Sequence, residues 1–320
     1  MKRNKGMALL VVMLLLALMA TLAIGINQFW YSAFNRTLNQ QAHIQAKWHL
    51  LGGEIFARQW LAESLQNQTV VHFGQRWAQP GQALHTEDAS IGISFRDAQA
   101  CFNINTLNYR FAKAEKLPEI SQPTLDENTP PVFRADIARQ VFDALLVNLG
   151  FTADQIRQLG DSIEAQLTSG KVAFSDISEL RPFPGVNRER FMRLKPLLCA
   201  LPAQKSAINI NTLGYEQLPL LQALFLNKAP QDALQPLLAA RPANGWEDIH
   251  DPALQEILLT LHLPPLEGEK LLATRSHYFY ARLTTENDRG GYQLQSLLHY
   301  KRQKVGVIDR QIRYVGSSDE

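Results

Sequence analysis

The 320-residue sequence lacks the short signatures that mark most catalytic chains. It has no G-x-S-x-G elbow, no phosphate-binding G-x-x-x-x-G-K-[ST] loop and no H-E-x-x-H pair. Its eight histidines are scattered, and none stands at metal-ligand spacing from a cysteine or a carboxylate. Asp161 with Glu164, and Asp248 with Asp251, are carboxylate pairs of the kind that solvated helix and loop faces carry. No catalytic residue, metal or cofactor is therefore expected. Cysteine is scarce: Cys101 and Cys199 are the only two, and there is no C-x-x-C. In an oxidising compartment such a pair forms a bridge, closing a loop of about 100 residues and stabilising the fold by roughly 4–5 kcal/mol in the chain-entropy model. The other reading is two buried free thiols. Excess charge of one sign is also missing. The net charge is +2, which by itself implies neither a nucleic-acid nor an acidic-lipid partner. With 46% apolar and 19% charged residues, the chain has an ordinary globular composition, and disorder is not its theme.

The most telling absence is local. No charged residue occurs from 7 to 34, and 7–26 is apolar apart from Thr21 and Gly25. Twenty such residues span about 30 Å, the thickness of a hydrocarbon core. Lys2, Arg3 and Lys5 precede the run, so the N-terminus stays cytoplasmic and the rest of the chain crosses. Three readings compete for this start. One is a plain signal anchor. Another is a secretory signal peptide, whose apolar core is only about 7–15 residues long and ends at a small-residue cleavage site. The third is a basic leader cut after Gly6, with Met7 becoming the first residue. Past the membrane, Ile44, Trp48, Leu51 and Ile55 recur at i, i+4, i+7 and i+11, a helix face. One helix is expected from about 7 to about 65, with Trp48 and Trp60 packing against a sheet rather than holding a ligand.

The organisation beyond it is α+β. Strand patterns fall at 69–73, 90–96, 277–285 and 292–301, with short ones at 304–308 and 311–315. The run 287–291 is a hairpin turn. Between the two β regions, 103–272 reads as short helices separated by proline and glycine. Helical stretches are expected at 133–148, 152–167, 188–198, 212–225 and 231–239, with Thr152 as a cap. The pentapeptide Asn103-Ile104-Asn105-Thr106-Leu107 recurs as Asn209-Ile210-Asn211-Thr212-Leu213, so two related helical units should follow, each opened by capping Asn and Thr. The segment 178–187, leading into 188–198, resembles a helix-hairpin-helix, and Arg181, Arg188, Arg190, Arg193 and Lys195 cluster there. DNA affinity needs neutralised phosphates. The region 103–270 holds 16 Lys and Arg against 20 Asp and Glu, so the hairpin reads better as a packing module. A membrane-tethered periplasmic DNA-binding module of this type is the alternative function.

Three stretches carry a family resemblance: Arg96-Asp97-Ala98-Gln99-Ala100-Cys101-Phe102-Asn103-Ile104-Asn105, Phe174-Ser175-Asp176-Ile177-Ser178-Glu179-Leu180-Arg181, and Leu194 through Pro202 running into Ile208-Asn209-Ile210-Asn211. With the Lys5-Gly6-Met7 leader and Arg241-Pro242 through Asp248, they resemble the K-type minor pseudopilins of type II secretion over nearly the whole chain. The resemblance implies a pilin-like fold: a long N-terminal helix on a small antiparallel sheet, with a large all-α insertion. Its divisions are a leader at 1–6, the helix at 7–66, the α+β domain at 67–102 and 273–320, and the insertion at 103–272. It implies cleavage between Gly6 and Met7, N-methylation of Met7, and a Cys101–Cys199 disulfide. Assembly would run through Val11, Ile44, Trp48, Leu51 and Ile55. Val11 stands where other pilin-like chains have a membrane-buried Glu, which suits a subunit at a fibre tip. The implied location is the inner membrane, with one span and the body in the periplasm. The implied partners are I- and J-type minor pseudopilins, the major pseudopilin through the tip complex, prepilin peptidase and the inner-membrane assembly platform, but no nucleic acid. Relatives often carry a calcium-binding acidic loop before the Phe174 stretch. Here 159–173 offers only Asp161 and Glu164, so weak or no calcium binding is expected.

Overall fold

A computed structural model describes residues 5–108, 137–169, 173–203, 205–287 and 289–316. The leader cations Lys2 and Arg3, the helix start expected at 133–136 and the tail 317–320 lie outside the described residues.

The first element is one continuous helix, α1 (Lys5–Leu65). It contains no proline, and its first half is rich in Leu, Met and Ala, all strong helix formers. Its second half crosses a five-stranded antiparallel sheet. The strands are β1 (Gln82–His85), β2 (Ser90–Asp97), β7 (Tyr278–Asn287), β8 (Gly290–Lys301) and β9 (Lys304–Gly316), paired in the order β1-β2-β7-β8-β9. The helix buries Ala46, Leu50, Ala57, Leu61 and Leu65 against Ile91, Ile93, Phe279, Ala281, Leu283, Leu294 and Leu298. Four of the nine buried residues of α1 are alanine or glycine, and this lets the helix axis lie close to the sheet. A Cβ added at Gly53 would stand 3.0 Å from side-chain atoms of both Ile91 and Leu283.

Several expectations change here. The run 69–73 is not a strand. Val71 donates its N–H to the Thr274 carbonyl (2.8 Å), but no ladder follows, and its own carbonyl is taken by Asn209. Edge strand β1 has no clear apolar alternation and was invisible to periodicity. The two short strands expected at the C-terminus are one, β9, bent by an extra residue. Leu297 pairs with Asp309 and Leu298 with Val307, leaving Ile308 as a bulge.

The chain between β2 and β7 forms two helical units of the same plan. In the first, β3 (Phe102–Asn103) lies parallel to β4 (Leu198–Cys199) and encloses α2 (Ile137–Asn148), α3 (Ala153–Thr168) and α4 (Arg188–Leu194). In the second, β5 (Ile208–Asn209) lies parallel to β6 (Leu272–Ala273) and encloses α5 (Leu218–Leu224), α6 (Gln231–Ala239) and α7 (Pro252–Thr260). The insertion is therefore mainly, but not wholly, α. The expected helix at 188–198 ends at Leu194, because Leu198 and Cys199 join the strand pair. The helix expected over 212–225 is split into 3-10 turns at Ile210–Thr212 and Tyr215–Gln217 before α5 begins. Helix α7 was missed because Pro252 reads as a break. It sits in the first turn, where its missing N–H costs nothing, and Asp251 caps the helix by accepting from Ala253 N at 2.9 Å. Thr152 caps α3 in a capping box with Gln155.

The repeated pentapeptides explain the shared plan. The Asn105 side chain accepts from Phe174 N (3.0 Å) and donates to Phe174 O (2.9 Å). Asn211 makes the same two bonds with Trp246, at 2.8 and 2.9 Å. Each asparagine thus clasps the backbone of one deeply buried aromatic residue at the far side of its own unit.

Candidate assembly interface

The part of α1 that leaves the sheet is bare. Among the described residues it is the single helix long and apolar enough to cross a membrane. Met7 and Val11 lie on it, 64% and 54% exposed, and Gly6 falls in its first turn. Farther along, Ile44, Trp48 and Ile55 are 53%, 66% and 67% exposed and point away from the sheet. Trp48 therefore does not pack on the sheet as expected. Leu51 departs from the other three, since it turns inward and packs partly on the sheet core. Trp60 is half-buried, with the Arg76 guanidinium 4.5 Å over its ring. The α1 surface is thus divided. Ala46, Leu50, Gly53, Ala57, Leu61 and Leu65 face the sheet, while Ile44, Trp48 and Ile55 face outward with nothing among the described residues to cover them.

That surface is held rigidly. Glu54, 1% exposed on the sheet side of α1, accepts from Arg310 of β9 through two nitrogens (2.9 and 2.7 Å) and from the Ser296 hydroxyl of β8. The Glu54 carboxylate holds the Arg310 guanidinium above its ordinary pKa. Arg58 adds bonds to the Val305 carbonyl at 3.0 and 2.8 Å.

A second buried carboxylate joins the sheet to the helical units. Asp97 ends β2 and is 3% exposed. It accepts from Gln99 N (2.7 Å), Asn209 Nδ2 (3.0 Å), and the Thr212 and Ser276 hydroxyls (2.6 and 2.5 Å). Burial pushes its carboxyl up, while these four hydrogen bonds, all favouring the ionised form, act against the rise. Beside it, Cys101 and Cys199 are joined by a disulfide. Asn103 fastens the first unit to the linker, donating to the carbonyls of Leu201 (3.3 Å) and Ala203 (2.8 Å).

The acids expected to be a vestigial ion site have an internal partner. Arg139 of α2 lies between Asp143 (2.8 Å), Asp161 (3.1 Å) and Glu164 (3.0 Å). Burial works to lower the Arg139 pKa, but Asp143 and Glu164 outweigh it, so its charge is held more firmly than usual. Its guanidinium packs where a side chain at Gly160 would stand. The donor set does not fit a metal ion, because a guanidinium already fills its centre. Among the described residues no group of three His, Cys, Asp or Glu could hold one.

The basic cluster is similarly absorbed in part. Arg181 lies over the Phe191 ring (4.5 Å), and Arg190 lies over Phe151 (4.7 Å) while donating to Gly185 O (3.0 Å). Gly185 has φ +84°, the positive value the hairpin turn requires. The strongest sites missed from sequence are Glu54 and Asp97. A lone acid in an apolar stripe, four residues from Leu50 and seven from Leu61, was a usable signal for Glu54. Nothing local marked Asp97, whose side-chain partners come from two distant segments, at Asn209–Thr212 and at Ser276.

Known proteins resemble the chain along its whole length. The family model described as "Type II secretion system (T2SS), protein K" matches residues 208–265, and a second model of the same description matches 100–203. These spans fall on the second and first helical units. A type II secretion system protein K from Pectobacterium carotovorum subsp. carotovorum is 33% identical, covering 97% of this chain and 96% of that one. One from Klebsiella pneumoniae is 30% identical over 99% of both. Among solved structures, the GspK-GspI-GspJ complex from the enterotoxigenic Escherichia coli type 2 secretion system matches with TM-score 0.66 and 28% identity. The match covers 87% of this chain and 99% of that one.

Proposed function

Because this chain belongs to the type II secretion system protein K family, we propose that it is a minor pseudopilin that joins I- and J-type subunits in the complex capping the pseudopilus. The observation that carries this reading is the divided surface of α1, with Ile44, Trp48 and Ile55 exposed beside a rigid anchor to the sheet. Helices of neighbouring subunits would cover that stripe, gaining roughly 25 cal/mol for each Å² of apolar surface removed from water. The assembly would push folded proteins through the outer membrane. The related K–I–J complex supports the choice of partners. Contacts with the major pseudopilin and the inner-membrane platform would follow from the same helix.

In this reading the chain is a single-pass inner-membrane protein with its body in the periplasm. Prepilin peptidase cuts after Gly6 and Met7 is N-methylated. The Arg139 cluster supports weak or no calcium binding, because Asp161 and Glu164 already pair with a cation of the chain. The decisive test is a mass spectrum of the N-terminal peptide from membranes with and without the peptidase. A peptide beginning at N-methylated Met7, lost without the enzyme, supports the reading. An intact Met1 in both samples leaves a plain anchor and overturns it. Calorimetric titration showing micromolar calcium affinity would sink the calcium reading.

A further inference from the structure

Away from α1, the other face of the sheet meets the helical units across a cleft of about 860 Å³. Three separate parts of the chain wall it: the sheet, the first unit near Arg181 and Lys195, and the second unit near Tyr215. Clefts where several units meet are the usual place for a ligand. Its chemistry is polar and cationic. Arg96 of β2 and Arg313 of β9 rise from the sheet, while Arg181 and Lys195 face them from the first unit. Among the described residues none of these four forms an ion pair.

Two of the four are held ready by rings. The Arg96 guanidinium lies 5.2 Å from the Tyr280 ring centre, and that of Arg181 lies 4.5 Å from Phe191. Such stacking fixes the plane of a guanidinium and leaves its N–H edges free for a carboxylate. The nearby acids offset these cations only in part. Asp97 is buried and saturated by four donors, Asp176 takes a hydrogen bond from Gln311 and sits near the Arg313 charge, and Glu216 also lines the cleft. Gln295 of β8 pairs with Gln311 of β9, whose amide is already taken, its oxygen by Arg313 (2.8 Å) and its other side by Asp176, so Gln295 is the amide the sheet presents.

The spacing decides what fits. Arg96 and Arg313 stand on β2 and β9, three strand spacings apart, and the register sets Arg313 level with Gly92, four residues from Arg96, so they lie roughly 20 Å apart at about 4.8 Å per strand and about 3.3 Å per residue. A single phosphate cannot bridge them, whereas an extended chain with several carboxylates can. We propose that this cleft binds an acidic, extended peptide segment of a partner protein. Arg96, Arg181, Lys195 and, at the far end, Arg313 would take its carboxylates, and Gln295 would take a backbone amide. This inference stands on the cleft alone and is independent of the assembly role.

The test uses the full chain in detergent and a fluorescein-labelled peptide of alternating Asp and Ser, read by anisotropy. Saturable binding is expected, weakening about tenfold in Arg96→Gln and again in Arg181→Gln, each the loss of one charge-assisted hydrogen bond. Arg157→Gln removes an exposed cation paired to Asp154 outside the cleft and should leave affinity unchanged. Circular dichroism of each variant checks folding, and Lys195→Gln serves as the milder replacement if a variant fails. Absence of saturable binding overturns the proposal. So does equal weakening by Arg157→Gln, equal affinity for an all-Ser peptide, or displacement of the peptide by inorganic phosphate or by single-stranded DNA at matched charge.

Discussion

Glu54 and Asp97 show how two carboxylates can be buried in one chain on different terms. Glu54 is matched by a cation, and Asp97 is held by neutral donors alone. Removing the cation should therefore hurt most: Arg310→Ala leaves the Glu54 charge without compensation and should cost about 3 kcal/mol by chemical denaturation. Glu54→Gln should cost less, since Arg310 can turn to water. For Asp97 the sign of the pH effect follows from its raised pKa. Protonation is easier in the folded state than in the unfolded one, where the value is near 3.8. As pH falls from the raised folded value towards 3.8, this group makes an increasingly favourable contribution to stability. Asp97→Asn should remove that component, so the difference in Tm between wild type and variant should widen in favour of wild type as pH falls across that window. At the surface, Trp48→Asp and Ile55→Asp should abolish co-purification with I- and J-type subunits while changing stability by no more than about 0.5 kcal/mol. Retained co-purification would exclude this stripe as the contact.

Among the elements, α1 was the most legible in sequence. The charge-free run and the apolar recurrence that follows gave its length. Which side meets the sheet was not legible, because alanine and glycine, the weakest hydrophobic signals, separate the leucines of the buried side, whereas Trp48, Ile44 and Ile55 form the stronger apolar stripe and point outward. Helix packing here is decided by how closely backbones approach, and Gly53 is the tightest point. Gly53→Leu should overpack Ile91 and Leu283 and cost about 1–3 kcal/mol. The duplicated pentapeptide correctly marked two related units, but only its first asparagine caps: Asn103 and Asn209 accept from Asn105 N (3.2 Å) and Asn211 N (3.0 Å) at 3-10 turns, while the Thr106 and Thr212 hydroxyls donate to carbonyls instead. What it concealed was reach, since Asn105 and Asn211 bond 69 and 35 residues away. Long-range clasps leave no period in a sequence. Asn211→Ala would strand the buried N–H and carbonyl of Trp246 and should cost about 3 kcal/mol. Asn105→Ala should do the same in the first unit, and the two losses should add because the sites share no partner.

At the scale of the whole molecule, the helix packs along the sheet, and the sheet joins the two units through the Asp97 cluster, the Gln99 and Asn209 contacts and a small core of Ala98, Cys199, Leu201, Tyr278 and Leu297. A Cys101→Ser, Cys199→Ser double variant should lose about 4 kcal/mol and unfold in two steps by calorimetry, with the first unit melting ahead of the sheet. The α+β organisation was legible because hydrophobic period changes sharply along the chain. The cleft was not, since its walls are brought together only by the docking of all three parts.

The parallel pairs β3–β4 and β5–β6 bear on how the chain reaches this state. β2 must find β7 across the longest sequence gap in the sheet, with Asp97 opposite Phe279. Searching so far along a chain is slow, because loop-closure entropy is lost before any contact forms. Each helical unit, however, brings its own ends side by side. Once both have folded, the kinetic distance between β2 and β7 shrinks to a short hop, and the sheet can close as an ordinary meander. The insertion's parallel pairs thus turn a long loop into a short one, and weakening them by substitution in either unit should slow closure of the host sheet in a stopped-flow refolding measurement.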